Sequence, residues 1–388
     1  MNNRTVLISG GGIAGTTLAY WLARRGFAPT VVERAADLRS SGSPVDVRGP
    51  ALDVVEQMGI MPRLRDAATS ATRLTFVNGN GRRVGGFNMG ALGQDAGRGV
   101  ELPRADLASI LYEAGRADAE YVFNDSIRAL DQEDRGVDVT FERAAPRRFD
   151  LVVGADGLHS RVRRLVFGAE RDHIRYLGLY VATLPMDAPA DNKREILAYN
   201  IPGRAVFLHP ARGKALAAFM FRRPEVAGFD YRDIQQHKRL LTAAFEGGSW
   251  RVPELLHRVR AADDLYLDAV SRVALPNWST GRVTLLGDAA SCVSLFGEGS
   301  SLAIAGAATL ADALVTSPDD HHTALTRYET DHRNLVTPKQ RTMAAASRLL
   351  VPATTLGILT RNTATYLSPI AAAIQGAASK TTHHRAAI

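Results

Sequence analysis

The chain has 388 residues, of which 46% are hydrophobic and 22% are charged, and it carries a single cysteine. This is the composition of a globular protein of two or three domains, and it excludes a disordered, collagen-like or disulfide-stapled chain. The net charge is +7, from 47 basic and 40 acidic residues. The basic residues are scattered along the chain, which argues against nucleic-acid binding.

The N-terminal segment and the single cysteine predict a cytoplasmic protein. The apolar run 5–9 is too short for the core of a signal peptide. The most apolar long stretch, 362–379, contains Asn, Thr, Ser, Pro and Gln, so no stable membrane association is expected. Cys292 cannot form an internal disulfide, and the lack of other cysteines excludes a cysteine-rich metal site.

The chain opens on a dinucleotide-binding pattern. A buried-strand run, 6–9, precedes Gly10-Gly-Gly12-Ile-Ala-Gly15, which matches G-x-G-x-x-G. A helix is predicted next, with Gly26 as its stop, and a second strand, 30–32, ends at Glu33. Strand, glycine triad, helix, strand and acid therefore occur in the required order.

Each of these residues has a physical task in such a unit. Gly10 permits a tight turn, Gly12 lets the backbone approach a pyrophosphate, and Gly15 lets helix and strand pack closely. The helix N-terminus faces the negative phosphates. Glu33 is suited to accept hydrogen bonds from a ribose diol, and its charge repels a 2′-phosphate. The pocket is therefore predicted to hold FAD or NAD rather than NADP.

Strand-like runs dominate the middle of the chain. Runs 74–77 and 83–87 flank Asn78-Gly-Asn-Gly81, which is a hairpin signal. A β-rich middle between two α/β segments predicts a discontinuous nucleotide-binding domain with an inserted second domain. The further strand-like runs are 176–184, 195–201, 205–209 and 215–221.

Two more strands end in a glycine and an aspartate. The run 151–157 ends in Asp156-Gly157, and the run 282–288 ends in Gly287-Asp288. A helix is predicted to start near 302, after Gly297-Glu-Gly299-Ser-Ser301, and its N-terminus carries free N–H groups and the positive end of the helix dipole. We expect the turns after these strands and after 6–9 to meet around one extended nucleotide cofactor.

With these three signatures in order, the chain resembles the class A FAD-dependent flavoprotein monooxygenases (the aromatic hydroxylase type). The likeness runs over about residues 4 to 340 and is strongest to the tetracycline-inactivating monooxygenases and related actinobacterial enzymes. It implies an α/β fold: a glutathione-reductase-like FAD-binding Rossmann domain, an inserted β-sheet substrate domain and a C-terminal bracing helix. The domain bounds expected are 1–72, 103–172 and 276–338 for the FAD-binding domain, 73–102 for the substrate-domain hairpin and loop, 173–275 for the substrate sheet, and 339–380 for the helix.

The resemblance also implies individual cofactor contacts. Glu33 and Arg34 resemble the adenosine-ribose and phosphate pair of the family, and Asp156 resembles the aspartate linked to both FAD and reduced nicotinamide. Asp288 resembles the aspartate that binds the ribityl chain. The full set implied for cofactor binding is Gly10, Gly12, Ile13, Ala14, Gly15, Glu33, Arg34, Arg39 (a nicotinamide-phosphate contact), Asp46 (a flavin-side aspartate), Arg104 (near the ribityl–phosphate region), Asp156, Asp288, Gly299, Ser300 and Ser301.

G-x-G-x-x-G occurs once, so the sequence indicates no second nucleotide-binding fold. The resemblance implies that NADPH is a transient co-substrate. NADPH reduces FAD, O2 adds at the flavin C4a carbon, and the hydroperoxide hydroxylates an aromatic or polycyclic small molecule, with an antibiotic such as a tetracycline as one candidate. The alternative is a FAD-linked reductase or dehydrogenase that inserts no oxygen. A non-catalytic flavin-binding protein is the alternative outside the enzymes.

No obligatory catalytic side chain is predicted, because attack by a flavin oxygen on an activated ring needs a well-positioned substrate more than a protein nucleophile. His209 is the candidate base by its segment, with a packing role as the competing interpretation. No histidine pair has zinc-ligand spacing, so no metal is expected. The protein is expected to be a monomer or weak homodimer. Candidate substrate-pocket walls, with sheet core as the alternative for each, are Leu197, Tyr199, Phe207, Phe219 and Phe221.

Overall fold

A computed structural model describes residues 5–37, 43–89, 98–190, 192–211, 215–293 and 298–365, except for the side chains of residues 344 and 346. By its internal contacts the chain divides into two units. The first comprises Met1–Ala68, Arg98–Leu177 and Val270–Ala344, and the second comprises Thr69–Gly97, Gly178–Ala269 and Ala345–Ile388.

The elements are numbered along the described chain. The strands are β1 Thr5–Ser9, β2 Ala28–Glu33, β3 Val45–Val47, β4 Arg73–Val77, β5 Arg83–Asn88, β6 Val100–Leu102, β7 Glu120–Phe123, β8 Ile127–Glu133, β9 Gly136–Phe141, β10 Arg147–Phe149, β11 Leu151–Gly154, β12 Ile174–Pro185, β13 Glu195–Ile201, β14 Arg204–His209, β15 Leu216–Arg222, β16 Tyr266–Val273, β17 Ser279–Thr280 and β18 Val283–Leu285. The helices are α1 Ile13–Arg24, α2 Pro50–Gln57, α3 Met61–Ala67, α4 Arg104–Gly115, α5 Arg161–Val166, α6 Glu170–His173, α7 Ile234–Phe245, α8 Val252–Ala261, α9 Asp288–Ser291, α10 Glu298–Thr316, α11 His321–Leu350 and α12 Thr355–Thr365.

The first unit is built around a mostly parallel sheet. Within the described residues its strand order is β17-β18-β11-β1-β2-β7, and every neighbouring pair from β18 to β7 is parallel. The central strands are apolar on both faces, as in β1, where Val6, Leu7 and Ile8 are fully buried. Such continuous apolar runs are typical of strands covered on both sides. This arrangement confirms the α/β fold class that the sequence predicts.

Helix α1 forms where the sequence predicts it. It begins directly after Gly12 and ends at Arg24, and Gly26 lies just beyond it with a φ of +83°. A left-handed glycine in this position is a common helix stop. Leu18, Ala19 and Leu22 are fully buried, so this face anchors α1 in the core of the unit.

The second unit is built around an antiparallel-rich sheet. Within the described residues its order is β16-β12-β15-β14-β13-β4-β5. The hairpin β4–β5 is antiparallel, and β4 pairs in parallel with β13 of the middle segment. The runs predicted at 176–184, 195–201, 205–209 and 215–221 correspond to β12 to β15, with ends that differ by at most a few residues.

The two faces of this sheet have different cover. On one face Phe219 and Phe221 of β15 contact Phe245 of α7 at ring-centroid distances of 5.3 and 6.1 Å. On the opposite face Phe207 and Phe87 are only half-buried. Side chains alternate along a strand, so each residue's parity decides which of the two faces it joins.

The C-terminal helix differs from its prediction. The sequence predicts a helix over 339–380, but α11 begins at His321, continues past Lys339 and ends at Leu350, and α12 follows as a separate helix. Residues 366–380 lie outside the described part of the chain. The helix predicted from 302 likewise begins earlier, at Glu298.

Two arginines of the second unit satisfy the end of α11. Arg222 donates from Nε to the carbonyl of Val351 at 2.8 Å and from Nη2 to the carbonyl of Ser347 at 2.9 Å. Arg361 donates from Nη1 to the carbonyl of Leu349 at 3.2 Å. A helix end leaves its last carbonyls without internal partners, so these guanidinium groups stabilise the point at which α11 stops.

Among the described residues, one helix, α10, has the length and apolar composition of a membrane-crossing helix. In this fold 67% of its most apolar window is buried within the protein.

Candidate functional site

The carboxyl ends of three neighbouring parallel strands lie side by side in the first unit. Ser9 at the end of β1 pairs with Gly154 at the end of β11, and Gly154 pairs with Leu285 at the end of β18. The turns that follow these strands therefore meet at one edge of the sheet, which is where α/β sheets bind their ligands. The expectation that three chain-distant turns come together is confirmed.

The glycine triad shapes the first of these turns. Gly10 has a φ of +107°, and a Cβ there would lie 2.6 Å from the carbonyl oxygen of Ala155. A Cβ on Gly15 would lie 1.9 Å from the carbonyl oxygen of Gly10. No larger side chain fits at either position without moving backbone, because real Cβ contacts are not that short. The roles predicted for Gly10 in the turn and for Gly15 in close packing are both confirmed.

Gly12 differs from its two neighbours in the motif. It is exposed, and a Cβ there would meet nothing within 4 Å among the described residues. Helix α1 begins at this residue with no side-chain cap and no acidic residue in its first turn. The N-terminus of α1 therefore presents N–H groups and a positive dipole end to open space, which suits a phosphate group.

Glu33 closes the other side of this opening. Its Oε2 accepts a hydrogen bond from the Gly11 N–H at 2.8 Å, and its Oε1 accepts one from the Ala35 N–H at 2.8 Å. Both carboxylate oxygens are thus oriented by backbone, and each keeps further acceptor capacity for a diol. Arg34 is exposed, and Arg39 lies outside the described residues.

The carboxylate of Asp156 is engaged by the protein itself. Its Oδ2 accepts from the Arg161 N–H at 2.8 Å and from the Val162 N–H at 3.2 Å, and Oδ1 accepts from the Ser160 hydroxyl. Ser9 at the end of β1 also donates to Oδ2, at 3.4 Å. Asp156 therefore ties the start of α5 to the glycine turn.

Arg163 is a residue of this region that the sequence analysis did not single out. Its side chain is fully buried, and its guanidinium donates to the carbonyl of Ala289 at 3.0 Å and to the carbonyl of Leu158. It thereby links the turn after β11 to the turn after β18. Its neighbours Arg161 and Arg164 are more exposed, and nothing in the run of arginines marks the buried one.

Asp288 stands where the third turn meets two helices. A Cβ on Gly287 would lie 3.0 Å from that of Ala14 in α1, and a Cβ on Gly299 would lie 3.5 Å from Oδ1 of Asp288. Desolvation raises the pKa of the Asp288 carboxyl, and the positive charge of Arg104 at the start of α4 acts to lower it. The structure therefore places Ala14, Arg104 and Gly299, which are all candidates for cofactor binding, around the third turn and Asp288.

Asp46 connects the start of α10 to β3. Its carbonyl oxygen accepts hydrogen bonds from the hydroxyls of Ser300 at 2.6 Å and Ser301 at 2.8 Å. The Ser301 hydroxyl also accepts from the Arg48 N–H at 3.0 Å. The Asp46 side chain is buried and pairs with Arg48 at 2.7 Å. Asp46, Ser300 and Ser301 are therefore neighbours, and Arg48 is a partner that the sequence analysis left unassigned.

The charges around Asp46 oppose one another. Burial raises the pKa of Asp46 to about 6, and Arg48 acts to lower it. Glu101, its direct partner across the β3–β6 pair, raises it, as does Glu298 at the start of α10. Glu298 is itself paired with Lys339 of α11 at 2.7 Å. A carboxyl with this pKa can change its charge near neutral pH.

The residues present fit an extended dinucleotide. The open N-terminus of α1 at Gly12 can take a pyrophosphate, and Glu33 at the end of β2 can take a ribose diol. Asp288, with Arg104 nearby, offers a carboxylate and a cation farther along the same strand edge. Along this edge the order of groups is Glu33, the N-terminus of α1, and then Asp288 with Arg104. This order matches the polar groups of such a ligand.

Four of the five candidate substrate residues lie on the covered face of the second unit's sheet. Phe219 and Phe221 pack on α7, and Tyr199 lies 5.8 Å from the ring of Trp250, just before α8. Leu197 has the same strand parity as Tyr199. Phe219, Phe221 and Tyr199 are buried, which supports the alternative of sheet core for these three, whereas Leu197 on the same face is half-buried.

Phe207 is the exception. It lies on the opposite face, in a cluster with Phe76, Ile196 and Ala198, and it is only half-buried. Phe87, Met89 and the sheet residues Val181 and Ala218 are also half-buried. Arg361 of α12 lies over the Phe76 ring at 3.6 Å, so α12 covers part of this face. We call its remaining half-buried members, Phe87, Met89, Val181, Phe207 and Ala218, the open apolar face. Phe207 was among the sequence candidates and the other four were not, because strand alternation reveals two faces but not which of them a helix will cover.

His209 has the parity of Phe207 but is buried. Its Nδ1 accepts a hydrogen bond from the Ala211 N–H at 3.0 Å. This contact supports the packing interpretation of His209 more than a role as base.

Comparison with known proteins agrees with this geometry. The chain matches the FAD binding domain family over residues 3–339. An uncharacterised protein of Mycobacterium tuberculosis is 39% identical over 342 residues, which cover 87% of this chain and 92% of that protein. A flavin-dependent monooxygenase of Legionella longbeachae is 32% identical over 351 residues, covering 87% of each. The crystal structure of tetracycline destructase Tet(55) matches with a TM-score of 0.81 and 31% identity, over 94% of this chain and 95% of that one.

The family match spans most of the chain, and the sheet edge carries the geometry that a flavin nucleotide needs. This protein belongs to the FAD-binding, class A flavoprotein monooxygenases, and FAD is its cofactor.

Proposed function

We propose that this FAD monooxygenase holds its cofactor along the edge formed by the three strand-end turns. The N-terminus of α1 at Gly12 takes the pyrophosphate, Glu33 takes the adenosine ribose, and Asp288 with Arg104 takes the ribityl chain. The meeting of the turns after β1, β11 and β18 is the observation that carries this proposal. When bound, FAD supplies the two-electron chemistry that activates O2 for insertion into an organic molecule.

The start of α10 lies beside Asp288 and is held in place by Asp46. The amides of Gly299, Ser300 and Ser301 sit at the positive end of this helix, where negative charge on a bound ring is stabilised by about 0.3–1 kcal/mol or somewhat more. The hydroxyls of Ser300 and Ser301 donate to the Asp46 carbonyl, which holds this end of α10 in place.

We infer that the substrate is an aromatic or polycyclic small molecule bound on the open apolar face of the second unit. Half-buried aromatic and aliphatic side chains are suited to a flat apolar ligand, and they exclude water from the reaction. Tetracycline is the first compound to test, because a destructase of that antibiotic matches this chain over nearly its full length.

NADPH is proposed as the transient electron donor. The family resemblance supports a bound nicotinamide without a second nucleotide fold, and G-x-G-x-x-G occurs once in the sequence. We further propose a cytoplasmic location and a monomer or weak homodimer, from the sequence features given above.

The test is NADPH-dependent O2 consumption by the FAD-loaded protein, with mass spectrometry of products. Tetracycline, anthracycline-like compounds, rifamycins and simple phenols are offered one at a time. The expected result is a product that has gained one oxygen atom, labelled when the gas is oxygen-18. A product without the label would establish the alternative, a FAD-linked reductase or dehydrogenase. A flavin-loaded protein that oxidises no NADPH with any compound would contradict both.

A further inference from the structure

His332 of α11 is a buried imidazole that the cofactor site does not use. Its side chain is 1% exposed, and neither ring nitrogen has a hydrogen-bond partner among the described residues. Buried polar groups almost always find partners, so a histidine left without one is a feature to explain.

The ring is enclosed by its own helix, by α10 and by the segment before β17. It stacks on Tyr328 with centroids 6.0 Å apart, and it meets the edge of Trp278 at 5.9 Å. A Cβ on Gly306 of α10 would lie 2.6 Å from its Nε2, so the imidazole is seated directly on the α10 backbone. Only a glycine leaves room for this contact.

Within the described part of the chain, no charged group is placed to stabilise an imidazolium there. On its own helix, Glu329 and Arg333 pair with each other at 2.7 Å; Glu329 also accepts from the Trp278 N–H, and Arg333 lies over the Trp278 ring. On α10 the residues flanking Gly306 are alanines. Burial alone lowers the pKa of His332, to about 4, with no neighbouring charge contributing to the shift.

The two helices that meet at His332 also support the cofactor edge. The first turn of helix α10 contains Ser300 and Ser301, whose hydroxyls donate hydrogen bonds to the Asp46 carbonyl. Tyr328, one turn before His332, donates its hydroxyl to the carbonyl of Leu285 at the end of β18, at 3.0 Å. Separation of α11 from α10 would therefore loosen the turn that carries Asp288.

We propose that His332 is an acid-sensitive latch: its neutral imidazole seats α11 on Gly306 of α10, and its protonation loosens the helix pair and with it the FAD site. This inference rests on the placement of FAD proposed above.

Proton linkage gives the direction in which pH changes the seating of His332. Because the pKa is lower in the seated state than the ordinary 6.5, the open state binds more protons, and seating is lost as pH falls from about 6.5 toward 4. Between neutral pH and about pH 5 the opening equilibrium should rise by about 20-fold.

The test is native-state hydrogen exchange of the FAD-loaded and FAD-free protein at neutral pH and about pH 5. Protection factors of amides in α10 and in residues 321–344 are compared after correction for intrinsic exchange. In the wild type they should fall by about 20-fold at the lower pH, and flavin released through an ultrafilter should increase. His332→Leu, which cannot be protonated, should lose this pH dependence, while His322→Asn, an exposed histidine of the same helix, should behave as the wild type.

An equal fall in His332→Leu and wild type would overturn the latch, as would a wild type whose protection does not change. If His332→Leu does not fold, Gly306→Ala tests the same contact, since the added Cβ displaces the ring. Its protection in α10 should already be reduced at neutral pH and should change less on acidification, and an unaltered profile would overturn the proposal. Asp288→Ala, scored by FAD affinity at neutral pH alone, separates failure of the cofactor placement from failure of the latch.

Discussion

The two units of the chain build their candidate binding surfaces in different ways. At the strand edge of the first unit, backbone N–H groups hold the carboxylates of Glu33 and Asp156, and side-chain hydroxyls hold the backbone of Asp46. On the open apolar face of the second unit, Phe87 and Phe207 are placed by packing alone. The proposed cofactor surface is thus set largely by backbone, and the proposed substrate surface is set by side chains that can be exchanged without changing the backbone of the sheet.

The largest expected effect compares the two faces of the second unit's sheet. Phe219→Ala removes a fully buried ring that packs on α7, and it should lower the free energy of unfolding by about 3–5 kcal/mol. Phe207→Ala removes a half-buried ring and should cost clearly less, because part of its surface already contacts water. Urea unfolding of the two variants and the wild type measures both values.

The same two positions separate stability from recognition, with Phe219→Leu replacing Phe219→Ala so that the fold is kept. Phe207→Ala should weaken binding of a polycyclic probe such as tetracycline, followed by its fluorescence, while Phe219→Leu should leave it near the wild-type value. Equal weakening by both variants would contradict the division of this sheet into a covered face and a substrate face.

Two glycines of one motif provide the next comparison, in the first unit. Gly15→Ala forces a Cβ against the Gly10 carbonyl and should destabilise the FAD-free protein by about 3 kcal/mol or prevent folding. Gly12→Ala adds a Cβ in open space, so the FAD-free protein should melt as the wild type does. Flavin titration should nevertheless show weaker binding by Gly12→Ala. Unchanged FAD affinity in Gly12→Ala would contradict the proposed placement of the pyrophosphate at Gly12.

These contrasts show which features a sequence can reveal. The demands on Gly10 and Gly15 are local, so the motif spacing alone predicts them. The cover of Phe219 is not local, because it depends on where α7 packs, and alternation cannot supply that. Arg163 and His332 were missed for a related reason: a charged or polar residue inside a helix looks exposed in sequence, and only tertiary packing buries it.

The pH dependence of stability tests the electrostatics of the first unit. The pKa of Asp46 is raised from 3.8 to about 6, so the native state binds more protons across that range and stability should fall as pH rises through it. Asp46→Asn should abolish this loss, which amounts to about 3 kcal/mol at most. The lowered pKa of His332 has the opposite effect on stability over nearly the same pH range, because stability should rise with pH there.

The two opposing effects are separated by measuring the stability of the FAD-free wild type, Asp46→Asn and His332→Leu between about pH 4 and 7, by thermal or urea unfolding. The difference curve between wild type and Asp46→Asn should slope one way and that for His332→Leu the other. Two difference curves of the same sign would show that at least one of these side chains is in a different environment from the one described.

The smallest effect concerns the ribityl end of the proposed cofactor site. Asp288→Ala removes a carboxylate acceptor and should weaken FAD binding by about 1.5–3 kcal/mol. Asp288→Asn keeps the shape and one acceptor oxygen, and it should lose less. Burial disfavours the charged form of Asp288, so the FAD-free Asn variant should be no less stable than the wild type. Weaker FAD binding by this variant would then reflect a lost ligand contact and not a loss of folding. Unchanged flavin content in Asp288→Ala would mean that the third turn, although it lies beside the other two, does not contact the cofactor.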